Sequence, residues 1–81
     1  SGLEGEVNAV VIVTHEDEDS AEIDEIQHDY QETITTQLHN HMSDHKCLEV
    51  FMLHGNAEKV KELYNQLEAS SKVEQAKIII P

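Results

Sequence analysis

Two histidines at alternate positions and the only cysteine of the chain lie close together in the sequence, as His39, His41 and Cys47. Side chains two positions apart point to the same face of a β-strand, so a strand through this stretch places both imidazoles on one face. Residues 42–44 form a short polar segment that can turn the chain, and residues 45–53 predict a second strand. The stretch is therefore predicted to be a β-hairpin that gathers metal-ligating side chains.

The hydrophobic pattern also predicts a register for this hairpin, with His39 opposite Cys47 and His41 opposite His45. On the other face, this register pairs Leu38 with Leu48, Thr36 with Val50, and Ile34 with Met52. We expect helices to cover that apolar face and to leave the face with the histidines bare, although Phe51 also lies on it. Because directly opposite Cβ atoms lie roughly 5 Å apart, two imidazoles and a thiolate at this spacing can converge on one metal ion.

Hydrophobic periodicity predicts the remaining elements. Strands are predicted at residues 7–14, 33–42, 45–54 and 73–80, and helices at residues 20–30 and 57–68, the second one capped by Asn56. Residues 15–19, which include His15, are predicted to form an acidic loop. The order β-α-β-β-α-β is typical of the α+β ferredoxin-like fold, a four-stranded antiparallel sheet with two helices on one face.

Composition limits the partners of the chain. The 81 residues suffice for one small domain, which often gains stability from oligomerisation or a metal. Seventeen acidic residues against five lysines give a net charge of −12, which disfavours direct binding to nucleic acid or to a membrane surface. A single cysteine suits a reducing cytoplasm. Ser1-Gly2 is predicted to be the remnant of an expression tag, with residues 3–81 as the domain itself.

His28 is a further candidate ligand, on the first predicted helix. We expect it on the helix side of the sheet, away from the bare face that carries His39, His41 and Cys47. A neighbouring subunit packed against that face could deliver it, so the site is predicted to lie at a subunit interface. Metal binding and assembly would then be linked.

These residues resemble a known family. Gln27-His28, followed by His39-x-His41 and then by x5-Cys47-Leu48-Glu49, is similar to the metal-binding domain of the NikR nickel-responsive repressors. The resemblance extends over residues 7–81 and includes the order of the elements. The resemblance implies an ACT-like fold.

The resemblance implies a square-planar Ni(II) site. Its ligands would be His39, His41 and Cys47 of one subunit and His28 of another. It further implies a homotetrameric core of such domains and a regulator rather than an enzyme. In the family, operator DNA is bound by an N-terminal ribbon-helix-helix domain, which has no counterpart among these residues. The chain is therefore expected to sense nickel without binding DNA by itself.

Other interpretations remain open at this stage. Three imidazoles and one thiolate suit Ni(II), Cu(II) or Zn(II), and spacing alone does not fix the geometry. Glu49, on the same face as Cys47, is a candidate to accept a hydrogen bond from a ligand imidazole; otherwise it is a solvated or interface charge. His15, His45 and His54 are expected in loops or at strand ends. The alternative class is an ACT-type module that binds an amino acid without metal.

Overall fold

The computed structural model describes residues 5–81, so the predicted tag remnant Ser1-Gly2 lies outside the described residues. The elements are β1 (Glu6–Glu16), a short 3-10 helix (Asp17–Asp19), α1 (Ser20–Asp29), β2 (Ile34–His41), β3 (Lys46–Asn56), α2 (Ala57–Ala69) and β4 (Val73–Ile79). The predicted order β-α-β-β-α-β is confirmed. The predicted acidic loop is shorter than expected, because β1 continues through His15 to Glu16.

The four strands form one sheet in the order β2-β3-β1-β4, and neighbouring strands are antiparallel. This is the ferredoxin-like arrangement, with β2 and β4 at the two edges. Both helices pack on the same face of the sheet, where their apolar side chains meet those of β1 and β3. Neither helix within residues 5–81 has the length and apolar composition needed to cross a bilayer.

Alternation along β1 explains which face is buried. Ala9, Val11, Val13 and His15 are each at most 2% exposed, whereas the residues between them are partly exposed. A strand with this pattern turns one face to a core and the other outward. On β3, Phe51 is 1% exposed and lies opposite Val11, which places it under the helices.

The second helix begins as the sequence predicts. The Oδ1 atom of Asn56 accepts a hydrogen bond of 2.7 Å from the backbone N–H of Glu58. This bond satisfies one of the N–H groups that the first turn of a helix leaves without a partner. The predicted break at Gly55 is wrong, because β3 continues to Asn56.

The predicted hairpin register is wrong by two residues. His41 lies opposite Cys47, and His39 lies opposite Glu49. The connection has four residues, because β2 ends at His41 and β3 begins at Lys46. Asp44 and His45 adopt φ angles of 64° and 61°, so the chain turns through the left-handed region there and His45 lies in the turn. A shift of two positions changes the partners, but the side chains predicted to share a face of the hairpin still share one.

The predicted assignment of the faces is also wrong. Cys47 and Phe51 face the helices, whereas Leu38 and Met52 on the other face are 63% and 47% exposed. Both faces of β3 carry apolar side chains, so hydrophobicity alone did not separate them. The helix-covered face accepts two polar side chains because His15 and Glu49, both fully buried, bond to each other. Buried polar groups are tolerated when they are paired in this way.

Candidate metal centre

Cys47 lies at the centre of the candidate site. It is the second residue of β3, and its neighbours across the sheet are His41 on β2 and His15 on β1. The side chain is 1% exposed and is a free thiol. Its Sγ atom donates a hydrogen bond of 2.7 Å to Oδ1 of Asp17 and lies 3.6 Å from Nδ1 of His41.

Two overlapping groups of possible metal ligands share this thiol. One consists of His15, His39 and Cys47, and the other of Asp17, His41 and Cys47. Within each group, one ligand atom per residue lies within 4.8 Å of the others. The Cys47 thiol is thus close to a ring nitrogen of each hairpin histidine. Imidazole and thiolate are donors that Ni(II), Cu(II) and Zn(II) accept, so these residues fit a transition-metal ion.

The site opens at one edge of the sheet. The side chain of His39 is 31% exposed and that of His41 is 73% exposed, because both lie on the edge strand β2. Their ring centroids are 4.9 Å apart. The inner part of the site is therefore closed by the helices, and its outer part is accessible from beyond β2.

A buried pair lies directly beneath the hairpin histidines. Nε2 of His15 lies 2.6 Å from Oε2 of Glu49, and Nδ1 of His15 lies 2.7 Å from the carbonyl oxygen of Glu16. Both ring nitrogens of His15 therefore have a hydrogen-bond partner. The sequence analysis placed His15 in a loop. The alternation Ala9, Val11, Val13, His15 is the signal that could have placed it in the core.

Glu49 also connects the site to the first helix. Its Oε1 atom accepts a hydrogen bond of 2.8 Å from Nε2 of Gln37, and Oε1 of Gln37 accepts one of 2.6 Å from Nε2 of Gln27 on α1. Oε2 of Glu49 lies 3.8 Å from Nδ1 of His39. His15 is thus the imidazole that bonds to Glu49 in this structure, and a bond from His39 stays a prediction.

His28 lies on the helix side of the sheet, but at the far end of the strand from Cys47. It is exposed and borders a shallow cavity together with Ile34, the first residue of β2. His39 is five residues further along this strand, which corresponds to roughly 16 Å. The sequence analysis expected His28 and Cys47 to lie on opposite faces of the sheet. This expectation is wrong, because Cys47 also faces the helices. Among the described residues, His28 is not part of the group of possible ligands around Cys47.

The thiol of the metal-free chain is held in its protonated form. Burial, together with the hydrogen bond to Asp17 and the nearby charges of Asp17 and Glu49, raises the pKa of Cys47 from its ordinary value of 9.0 to about 11. The same bond lowers the pKa of Asp17, with a smaller contribution from His41. A metal ion that binds Sγ therefore displaces a proton.

The two remaining histidines, His45 and His54, are not among the grouped ligands in the described part of the chain. His45 lies in the hairpin turn. On β3, Nδ1 of His54 lies 3.0 Å from Oδ1 of Asn8, and Nε2 lies 3.4 Å from a carboxylate oxygen of Glu6. These contacts place His54 on the uncovered face near the end of the strand, as expected from sequence.

The fold and the site together define a class of protein, a small ferredoxin-like domain with a cluster of possible metal ligands at one sheet edge. The chain matches the family model of the NikR C-terminal nickel-binding domain over residues 8–80. The chain belongs to this family, which confirms the resemblance seen in the sequence.

Curated relatives carry a consistent name. The chain is 35% identical over 71 residues to a nickel-responsive regulator of Thermococcus onnurineus, which covers 86% of this chain and 51% of the relative. It is 38% identical over 81 residues to a nickel-responsive regulator of Methanocaldococcus jannaschii, which covers 96% of this chain and 57% of the relative. The chain thus spans about half the length of the curated relatives it matches.

Solved structures share the fold at low sequence identity. An uncharacterised protein from Thermotoga maritima superposes with a TM-score of 0.85 at 15% identity, over 94% of this chain and 98% of that chain. The ACT domain from the GTP pyrophosphokinase of Chlorobium tepidum superposes with a TM-score of 0.76 at 18% identity, over 93% of this chain and 100% of that chain. These likenesses confirm the ACT-like fold.

Proposed function

We propose that this chain is the nickel-sensing and tetramerisation domain of a nickel-responsive transcriptional regulator. Ni(II) would be held by His39, His41 and Cys47 of one subunit and by the partner subunit's His28. The observation that carries the proposal is the convergence of the two hairpin histidines on the Cys47 thiol, within 4.8 Å in each case. Membership of a nickel-binding family favours nickel over the other ions that these donors accept.

The position of His28 supports a site shared between subunits. Within its own chain this imidazole borders the cavity at the start of β2, whereas His39 and His41 lie near the end of that strand, so we propose that the fourth donor comes from a partner subunit. His28 is exposed, and so is the outer part of the site, where His41 is 73% exposed. One chain thus exposes two parts of a site, His28 and the hairpin histidines. A two-fold contact between copies can bring the first part of each chain against the second part of the other.

The uncovered sheet face supports further assembly. It exposes large apolar side chains from three strands, which include Leu38 at 63%, Met52 at 47% and Ile79 at 52%. A contiguous apolar surface of this kind is typical of an interface. With a shared nickel site at the edge and a second contact on this face, a homotetramer is the assembly we propose.

Nickel binding would act on DNA through another part of the regulator. The curated relatives are about twice as long as this chain, and a net charge of −12 is unsuitable for binding phosphates directly. We propose that operator DNA is bound by an N-terminal domain of the regulator. The hydrogen bonds Glu49–Gln37–Gln27 join the hairpin to α1, so ordering the hairpin can affect the helix that carries His28. A reducing cytoplasm would keep the thiol free for metal.

Nickel titration followed by absorption spectroscopy tests this function. We expect a thiolate-to-nickel charge-transfer band in the unaltered chain and its loss in Cys47→Ala. His28→Ala should weaken both nickel affinity and nickel-dependent assembly, measured by gel filtration. A band that survives Cys47→Ala would refute the ligand assignment. Unchanged affinity and assembly in His28→Ala would refute the shared site.

The ACT-type alternative makes a different prediction for the same experiment. An amino-acid module would give no nickel band and would change its assembly on addition of an amino acid. The fold alone is compatible with it, since an ACT domain superposes well. The grouped imidazoles and thiol favour the metal, because amino-acid binding does not require them.

A further inference from the structure

His15 is a fully buried histidine that the proposed nickel site does not use. It lies on β1 directly opposite Cys47, and its ring centroid is 6.0 Å from that of His39. One of its ring nitrogens also lies within 4.8 Å of donor atoms of both residues. A histidine so close to two proposed ligands has two possible roles: it joins them on the metal, or it acts on the site from outside.

The hydrogen bonds of His15 favour the second role. Nε2 lies 2.6 Å from Oε2 of Glu49, and Nδ1 lies 2.7 Å from the carbonyl oxygen of Glu16. Coordination of a metal through one of these nitrogens would remove its bond and leave an oxygen atom without its partner. Such a loss is costly in a buried place. His15 is therefore better suited to hold Glu49 than to bind metal.

Glu49 is a carboxylate that needs to be held. Its side chain is fully buried, and Oε2 lies only 3.8 Å from Nδ1 of His39. Two donors bound to one ion at about 2.0–2.2 Å lie roughly 3 Å apart, so a small rotation would bring this oxygen to an ion at His39. The other oxygen, Oε1, accepts a hydrogen bond of 2.8 Å from Nε2 of Gln37. With His15 and Gln37 in place, each carboxylate oxygen has a partner within the protein.

We propose that His15 determines the metal specificity of this site by holding the Glu49 carboxylate away from the metal. His15 is thus a positioning residue that acts through Glu49. This proposal rests on the nickel-binding function proposed above and adds the contact that restricts the donors to three imidazoles and one thiolate. Without His15, Oε2 would belong to a buried carboxylate that lacks a partner, and a cation bound at His39 would supply one.

An added carboxylate donor does not favour all ions equally. Zinc sites commonly include an Asp or Glu oxygen among tetrahedral ligands, whereas planar four-donor sites are typical of Ni(II) and Cu(II). Release of Glu49 toward the metal should therefore weaken the preference of the site for nickel over zinc. The quantity to measure is the ratio of the nickel affinity to the zinc affinity.

Competition of each metal with the same chelator gives this ratio. His15→Phe removes the bond to Glu49 and keeps an aromatic ring in the core. We expect the ratio to fall by about tenfold or more, because contacts that orient metal ligands typically contribute about 10–100-fold. His54→Phe is the matched control, since it makes the same substitution at a histidine outside the grouped ligands, and it should leave the ratio unchanged.

Two further variants test whether His15 acts through Glu49. His15→Gln retains a side-chain N–H donor and should restore the ratio of the unaltered chain. Addition of Glu49→Gln to His15→Phe removes the carboxylate and should also raise the ratio again. A merely structural role for His15 predicts the same fall with and without Glu49→Gln. That result, or an unchanged ratio in His15→Phe, would overturn the proposal.

A measurement on the unaltered chain does not depend on the folding of any variant. Nuclear magnetic resonance of the chain with isotope-labelled histidine detects the hydrogen-bonded ring N–H of His15. We expect this signal to persist when nickel is added, because the proposal keeps the bonds of His15 intact. Loss of the signal on nickel binding would overturn the proposal alone. Absence of a nickel band in the unaltered chain would overturn the proposed function, and the role of His15 with it.

Discussion

At the scale of single residues, the thiol of Cys47 is controlled by the groups packed around it. It is almost completely buried, it donates to the Asp17 carboxylate, and its neighbour across the sheet on β1 is His15. Burial and a nearby negative charge both disfavour the thiolate. The folded chain therefore keeps the Cys47 thiol protonated at neutral pH, which limits its oxidation.

Titration of the thiol tests this account. The pKa of Cys47 is raised from 9.0 to about 11, so thiolate absorbance should appear near pH 11 in the folded chain and near pH 9 in the unfolded chain. Because the folded state holds this proton more tightly, the raised pKa adds to the free energy of unfolding below pH 9. This contribution is lost as pH rises through 11. Subtracting the spectrum of Cys47→Ser removes the tyrosine contribution. Asp17→Asn should move the midpoint downward, and a midpoint near 9 in the unaltered folded chain would contradict the account.

At the scale of the elements, the sequence specified the strands and helices well but not the details of the hairpin. Alternation placed His39, His41 and Cys47 on one face correctly, because period two is a property of any strand. The register depended on the turn, where Asp44 and His45 adopt left-handed backbone angles that residue types alone did not indicate. The turn is centred one residue further along the chain than predicted, so His41 lies opposite Cys47 and not opposite His45.

The cap of the second helix provides a prediction at this scale. Oδ1 of Asn56 accepts a bond from the N–H of Glu58, so Asn56→Ala should lower the free energy of unfolding by about 1 kcal/mol. Urea denaturation followed by circular dichroism measures the change. Asn65→Ala is the matched control, since Asn65 is an exposed residue within α2 and alanine is the better helix former there. Equal losses in the two variants would show that the cap contributes nothing.

At the scale of the whole molecule, the main surprise is which face of the sheet is uncovered. The sequence analysis chose the face opposite to Cys47 as the core, because Leu48, Val50 and Met52 form a continuous apolar set. The structure covers the other face, where Phe51 packs under the helices and the Glu49 carboxylate is hydrogen-bonded to His15 and Gln37. The compensation of Glu49 by His15 depends on residues 34 positions apart, so local patterns could not reveal it.

The uncovered face gives a prediction about assembly. Met52→Glu places a charge on this face, and burying an unpaired charge at an interface is strongly unfavourable. We expect the variant to form a smaller species than the unaltered chain in gel filtration with light scattering. Asn65→Glu adds the same charge on the exposed side of α2 and should leave the mass unchanged. If Met52→Glu keeps the mass of the unaltered chain, this face is not the interface.

The central claim is that one nickel site is built from two subunits, and mixing two defective chains tests it most directly. His28→Ala retains the hairpin ligands, and Cys47→Ala retains the helix imidazole. Each variant is titrated with nickel alone, and the two are titrated again after they have been mixed, unfolded and refolded together. The concentration of free nickel is buffered below the level at which His28→Ala binds nickel by itself. The account predicts no tight nickel band for either chain alone, and a band at about a quarter of the sites in the mixture, where copies pair at random. No band in the mixture, at a nickel level that saturates the unaltered chain, would contradict the account.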